Sequence, residues 1–283
     1  MLTINLFNGL VYGALLIVMC SGLALIYGLR RVVNFAHGSL YMLGAYLGYS
    51  IAMRSNFWVA LLVVPLVMAG VGVLLDRYGF RLLQDRDPLS VVLVTFGLLL
   101  IIEDFVQTVW GKSNLSVPAP AALSTSIDLF GTPVPAYRLA VIAVGAGVAL
   151  GLTLWLRYSK VGLFVRAAST DPTTTAMQGV NTDALSAGVV GLGTALAGLA
   201  GVVSAPFLSL SPSMSSDVII DSFVVVVVGG LGSLSGAFIA AMGLGMVQAL
   251  GAVYLPNAAV LLPFMLMVGI LIWKPSGFAG SRT

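Results

Sequence analysis

Long apolar runs, separated by short polar loops, fill most of this chain. The runs lie at residues 6–29, 40–52, 57–75, 89–110, 139–156, 184–207, 218–254 and 258–273. Most of them approach the roughly 20 residues that an α-helix needs to cross the hydrocarbon core of a bilayer. Because they do not alternate polar and apolar positions, they exclude a transmembrane β-barrel. The pattern predicts an all-α polytopic membrane protein, a single bundle of transmembrane helices over residues 1–283.

The run at 218–254 is too long for one crossing. Five consecutive valines in it are followed by the segment 229–233, Gly-Gly-Leu-Gly-Ser, and glycines at such a point permit a helix break or a close backbone approach. The run is either one broken element or two spans, so about eight or nine crossings are expected. Two spans place the N-terminus outside and the C-terminus inside, whereas one re-entrant element reverses the C-terminus.

Composition and charge agree with a membrane protein and orient it. Hydrophobic residues make up 59% of the 283 positions, charged residues 8%, and the mean hydropathy is +1.06. Loops rich in basic residues face the cytoplasm. Ten of the 13 basic residues lie in the segments taken as cytoplasmic, namely Arg30, Arg31, Arg77, Arg81, Arg86, Arg157, Lys160, Arg166, Lys274 and Arg282. They place loop 157–183 in the cytoplasm and loop 111–137 outside, and they explain the net charge of +3 without a nucleic-acid partner.

Motifs for resident catalytic or energy-coupling chemistry are missing from the sequence. Gly111-Lys112-Ser113 resembles the end of a phosphate-binding P-loop, but Val106 stands where that motif requires its first glycine. One histidine and one cysteine are too few for the usual zinc sites. The sequence therefore predicts a protein that is not an enzyme and that holds no metal and no cofactor of its own.

A short helix is predicted within the cytoplasmic loop. Asp171 is a favourable N-cap, Pro172 suits the first helical position, and Gly179 suits the position just past the end. About two turns of helix are marginal in water, so this helix must be stabilised by packing on its own domain or on a partner.

A few polar residues fall where the chain crosses the membrane. A carboxylate there costs roughly 2.5 to 3.5 kcal/mol on insertion scales, so Glu103 and Asp221 should face a cavity, a partner or the outer interface. The segment 34–39 holds the only histidine and is either a polar pathway lining or a helix start, with Asn34 as its cap and Gly38 in close packing. The candidate translocation-path residues are Asn34, His37, Ser39, Glu103, Asp221, Gly229, Gly230 and Gly232.

Three segments resemble, in the same order along the chain, LivH-type permeases of branched-chain amino acid ABC importers. Residues 22–46, with GLALIYG, VNFAHG and MLGAY, are similar to their amino-terminal signature. Arg166-Ala167 followed by Gly179-Val180-Asn181 is similar to their cytoplasmic coupling loop, and residues 229–237 are similar to their late glycine-rich element.

The resemblance implies a multi-pass permease in the bacterial cytoplasmic (inner) membrane. It implies four kinds of partner: a LivM-like second permease, two cytoplasmic ATPases that bind the ATP, an extracytoplasmic binding protein and the lipid bilayer. Leucine, isoleucine, valine or related small solutes such as urea and short amides would move inward by ATP-driven alternating access. The residues that would couple the permease to the ATPases are Arg166, Ala167, Asp171, Pro172, Ala176, Met177, Gly179, Val180 and Asn181.

Other functions remain open on the residues alone. Glu103 and Asp221 would suit an ion-coupled secondary transporter, and the segment 227–230 loosely resembles a carbonyl filter of a channel. Small residues at four-residue spacing, such as Gly44 and Gly48, form packing seams within one bundle or the interface of a membrane scaffold. No internal repeat is evident.

Overall fold

A computed structural model describes residues 2–83, 86–129 and 132–279, and Arg282 lies outside the described residues. The α-helices are α1 (Leu2–Arg30), α2 (Ala36–Arg54), α3 (Phe57–Tyr78), α4 (Pro88–Trp110), α5 (Ala136–Tyr158), α6 (Lys160–Thr170), α7 (Pro172–Met177), α8 (Thr182–Ser204), α9 (Met214–Gly229), α10 (Leu234–Tyr254) and α11 (Leu262–Trp273). Short 3₁₀ turns cover Phe80–Leu83, Ala121–Leu123 and Pro256–Leu261. The loop 111–137 carries an antiparallel hairpin, β1 (Ser126–Leu129) and β2 (Thr132–Pro135), that pairs Ile127 with Val134. The predicted all-α membrane fold is confirmed.

Seven helices in the described part of the chain are long and apolar enough to cross a membrane. They are α1, α4, α5, α8, α10, α3 with the 3₁₀ turn that follows it, and α11 with the turn that precedes it. Two further helices, α2 and α9, pass through the bundle and are mostly buried. Helices enclosed by other helices need not be apolar all round, because they meet protein rather than lipid. Seven candidate spans and these two enclosed helices make nine helices in the described part of the bundle, so the predicted eight or nine crossings are approximate.

The long run at 218–254 consists of two antiparallel helices joined by a tight turn. Gly230 and Gly232 take positive φ angles of 99° and 83° between α9 and α10, which glycine adopts at little cost. After α11 the chain returns to this turn, where the Phe278 backbone N–H donates to the Val228 carbonyl. Gly232 in turn lies beside Gly28 near the end of α1. The described C-terminal residues therefore lie on the same side as the end of α1, as the two-span interpretation requires.

The bundle consists of two inverted halves, α1–α4 and α8–α11. In each half a long helix is followed by a connecting segment, an enclosed helix and two outer helices, and equivalent helices run in opposite directions. The contacts of Gly9 with Met246 and of Gly28 with Gly232 make α1 antiparallel to α10, and those of Met68 with Gly198 and of Asp76 with Ser186 make α3 antiparallel to α8. Inverted halves are common in membrane transporters. The relation lies in topology and packing, which is why no repeat is evident in the sequence.

Small residues bring the central helices into backbone contact. A Cβ atom on Gly22 of α1 would lie 2.3 Å from the Gly193 carbonyl oxygen of α8, and one on Gly44 of α2 would lie 2.5 Å from the Gly198 Cα of α8. Real Cβ atoms essentially never come this close to backbone atoms. These small-residue positions are packing seams within one bundle.

Candidate functional site

The segment 34–39 begins α2 deep inside the protein. The Asn34 side-chain oxygen accepts from the Ala36 N–H at 3.1 Å, but the N-cap is the next residue, Phe35, which has no side-chain capping bond. His37 is fully buried, and its Nε2 lies 3.0 Å from the Met19 carbonyl oxygen near the middle of α1. A Cβ on Gly38 would lie 2.3 Å from a carbonyl oxygen of α9. The expected helix start is confirmed, and it lies against α1 and α9 at the centre of the bundle.

Both candidate carboxylates bind to neighbouring helices. Asp221 of α9 is 9% exposed and accepts from the Tyr12 hydroxyl of α1 at 2.7 Å and from the Gln248 amide of α10 at 2.8 Å. Glu103 of α4 accepts from the Ser215 hydroxyl at the start of α9. Because a carboxylate in a membrane protein requires such partners, both residues have a structural role whatever else they do.

The glycines of segment 229–232 form the turn at the far end of α9. A Cβ on Gly236 would lie 1.8 Å from the Gly229 carbonyl oxygen, so the backbones of α9 and α10 meet at this turn. Three groups of path candidates therefore lie along α9: the α2 start and Glu103 near Ser215, then Asp221, then the turn. At 1.5 Å per residue, the first and last groups are about 21 Å apart. The structure thus distributes the candidates along one central helix rather than gathering them into one pocket.

The loop 157–183 folds as predicted around α7. Asp171 accepts from the Thr174 N–H at 3.0 Å as N-cap, Pro172 begins the helix, and Gly179 has a φ of 84° just past its end. The hydrogen bond from the Thr174 hydroxyl is the main reason why the pKa of Asp171 lies below its usual value of 3.8. Of the remaining coupling candidates, Val180 is half-buried, and the exposed ones are Arg166, Ala167, Ala176, Met177 and Asn181. The Asn181 side chain also caps α8, accepting from the Ala184 N–H at 2.9 Å.

A buried ion pair behind this loop escaped the sequence analysis. Asp76 at the end of α3 is fully buried and accepts from Arg30 of α1 at 2.6 Å and from Ser186 of α8 at 3.0 Å. Next to it, the Arg31 guanidinium donates to the Ser169 carbonyl at the end of α6 at 3.1 Å. The ends of α1, α3, α6 and α8 are thus tied together. In the sequence, Asp76 is visible only as an acidic residue next to a basic loop. That position does not indicate that Arg30 and Ser186 contact it.

Comparison with known proteins assigns a family to this architecture. A family model described as "Branched-chain amino acid transport system / permease component" matches residues 5–271. The chain belongs to this permease family. The permease is 26% identical to the high-affinity branched-chain amino acid transport system permease proteins LivH of Salmonella typhimurium and LivH of Escherichia coli K12, over 98% of its own length and 94% of theirs. It is also 26% identical to BraD of Pseudomonas aeruginosa, over 98% of its length and 95% of the relative.

These matches confirm the family that the three sequence segments indicated. They extend over nearly the whole permease, so the helices and the loops 111–137 and 157–183 all lie within the matched region. The permease is therefore a multi-pass membrane protein of the branched-chain amino acid transport type.

Proposed function

We propose that this permease is a translocating subunit of an ATP-driven bacterial importer of branched-chain amino acids. The observation that carries the proposal is the family match over residues 5–271 together with relatives whose names specify branched-chain amino acid transport. The permease would lie in the cytoplasmic membrane beside a LivM-like second permease. A binding protein on the outside would deliver leucine, isoleucine or valine.

The exposed helix α7 and the missing P-loop support the proposal that separate subunits supply the energy for transport. The sequence has no P-loop, and α7 presents Met177 with 80% of its surface exposed. A short helix that is marginal by itself suits docking on another protein. We propose that two separate ATPases bind there and bind the ATP, so that this subunit is not itself an enzyme and needs no cofactor of its own.

The attachment of the loop supports our proposal of alternating access. Closure of the ATPases would push α7 and α6, and the Arg31 contact with α6 would pass that displacement to the end of α1 and to the segment leading into α2. The start of α2 packs on α9, along which the path candidates lie. A movement of the cytoplasmic loop would therefore alter the centre of the bundle.

Reconstitution tests the proposal against its rivals. The permease, the subunits that co-purify with it and the binding protein are placed in proteoliposomes, and uptake of radiolabelled leucine is measured. Uptake should require ATP on the ATPase side and should survive dissipation of ion gradients. Uptake without ATP that collapses with an ion gradient would support a secondary transporter, and single-channel currents from the purified chain would support a channel.

A further inference from the structure

An open groove lies on the outside of the bundle, between the end of α3, with the 3₁₀ turn that follows it, and the start of α8. Its volume is about 290 Å³, close to the lower end of the range of roughly 300 to 1,000 Å³ that is common for small-molecule sites. Arg77 and Arg81 line one wall, and Asp183, Ala184 and Ala187 line the other. The small alanine side chains on α8 leave the space between the two walls open.

Aromatic side chains at the two ends of α3 place this groove at a membrane–water interface. Trp58 is 48% exposed and Tyr78 is 66% exposed, and exposed Trp and Tyr are typical of the level of lipid headgroups. At 1.5 Å per residue they lie about 30 Å apart along the helix axis, which is the thickness of the hydrocarbon core. The Arg77 guanidinium lies 5.8 Å from the centre of the Tyr78 ring. Arg77 is therefore at headgroup depth, on the side that the basic residues predict to be cytoplasmic.

An apolar stripe runs from Arg77 along α3 into the membrane. Leu62, Leu66 and Val73 are 70%, 74% and 40% exposed, and Gly70 between them is also exposed. Their spacing of three or four residues places them on the same face of the helix as Arg77. Leu66 lies about 16 Å from Arg77 along the axis, close to the roughly 15 Å depth of one leaflet of the hydrocarbon core. Groove and stripe together suit a ligand with a charged head and a long apolar tail.

The charges in the groove favour an anionic head. Its lining has two arginines and one carboxylate, Asp183, so positive charge is in excess. The Arg81 Nη1 lies 3.6 Å from the Asp183 Oδ2, too far for a hydrogen bond, and both side chains are partly exposed. Such a pair contributes about 0 to 1 kcal/mol, and Arg77 has no ion pair among the described residues. Both guanidinium groups can therefore bind phosphate oxygens, to which their paired N–H donors are suited.

We propose that this groove binds an anionic phospholipid of the adjoining leaflet, such as phosphatidylglycerol. Its phosphate lies between Arg77 and Arg81, and an acyl chain follows the apolar stripe past Val73 and Leu66. A soluble anion would use the head of the site and leave the stripe without a ligand. Because the two walls belong to α3 and α8, a bound lipid holds these helix ends together and stabilises the folded permease. The site concerns the lipid around the permease and does not depend on the solute that it transports.

Lipid binding to the intact protein tests the groove. The permease, with the subunits that co-purify, is delipidated in a neutral detergent and titrated with phosphatidylglycerol or phosphatidylcholine of equal chain length, and bound lipid is counted by native mass spectrometry. Phosphatidylglycerol should bind in preference to phosphatidylcholine. Arg77→Gln should weaken phosphatidylglycerol about tenfold or more, as expected for loss of a charged hydrogen-bond donor. Asp183→Asn should strengthen it about two- to fivefold, because the substitution removes the only carboxylate among the described lining residues.

Arg157→Gln is the matched control. Arg157 is exposed at the end of α5, and its guanidinium lies 5.6 Å from the centre of the neighbouring Tyr158 ring, as Arg77 lies above Tyr78. It does not line the groove, so its substitution should leave phosphatidylglycerol binding unchanged. General attraction of anionic lipid to a basic surface would instead respond equally to both arginine substitutions.

Several results would overturn the site. Equal effects of Arg77→Gln and Arg157→Gln, or equal binding of the two lipids, would show that the groove has no specific role. Asp183→Asn that weakens phosphatidylglycerol would contradict the charge argument. If glycerophosphoglycerol, the same head without acyl chains, binds as tightly as the lipid, the groove is a site for soluble phosphate esters and the lipid proposal is wrong.

Discussion

Removal of the Asp76 carboxylate should destabilise the permease more than any ordinary surface substitution. Asp76 is fully buried, and Arg30, whose side chain is 14% exposed, lies 2.6 Å from it. Breaking a buried ion pair from one side costs about 3 to 5 kcal/mol, because the remaining charge loses the carboxylate that it contacts. We expect Asp76→Ala to lower the free energy of unfolding by that amount.

Two companion variants separate the charge pair from simple loss of volume. Ser186→Ala removes only one hydrogen bond to the carboxylate, at 3.0 Å, and should cost about 1 to 3 kcal/mol. The double variant Arg30→Met with Asp76→Leu removes both charges and fills the space with apolar groups. It should recover most of the loss, since buried pairs replaced by apolar residues are often neutral or more stable.

The assay is equilibrium unfolding of the purified permease in mixed detergent micelles, followed by tryptophan fluorescence. A double-mutant cycle on Arg30 and Asp76 gives their interaction energy directly. The ion pair does not hold the helix ends together as argued if the free energy of unfolding of Asp76→Ala lies within about 1 kcal/mol of the wild-type value. The same conclusion follows if the double variant loses as much free energy of unfolding as the two single variants together.

Three further predictions concern other parts of the molecule. Gly179→Val should abolish substrate-linked ATP hydrolysis of the assembled importer, because a β-branched residue at a φ of 84° costs about 1 to 3 kcal/mol. Gly188→Val, in open helical space, should leave that activity intact. Gly22→Ala should eliminate the monodisperse peak in size-exclusion chromatography, since its Cβ would lie 2.3 Å from the Gly193 oxygen, and a normal peak would contradict the packing. Because the pKa of Asp171 is lowered below 3.8, its cap should stabilise α7 from neutral pH down to that value and fail only below it; loss of hydrogen-exchange protection near neutral pH would refute this.

Local signals in the sequence predicted the local elements well. The cap, proline and glycine around α7 lie within nine residues of one another, so local hydrogen-bond geometry determines where that helix begins and ends. Asn34 likewise bonds to the first turn of α2, although Phe35 is the N-cap. The sequence also indicated the break at 229–233. It could not decide whether the run 218–254 forms one re-entrant element or two spans, because that depends on the side of the bundle to which the chain returns after α11.

The distribution of the path candidates could not be predicted from the sequence. Asp221 and Glu103 were recognised as residues that need partners, yet the hydroxyl and amide groups that bind them come from helices distant in the chain. The pairing of Asp76 with Arg30 is of the same kind. Such contacts depend on helix rotation and crossing, which side-chain packing over the whole bundle determines.

The sequence by itself determined that this protein lies in a membrane, that it is helical and which family it resembles. It also gave the expected sidedness of the loops. These properties follow from hydropathy, charge bias and short motifs. Only the tertiary structure decided which helices lie inside, how the two halves relate, and which polar groups share a cavity. Hydropathy indicates which segments can contact lipid, but it does not indicate which helices contact one another within the bundle. Asn34 lies far from Arg86 and Thr95 in the chain, and the tertiary structure places all three around one cavity.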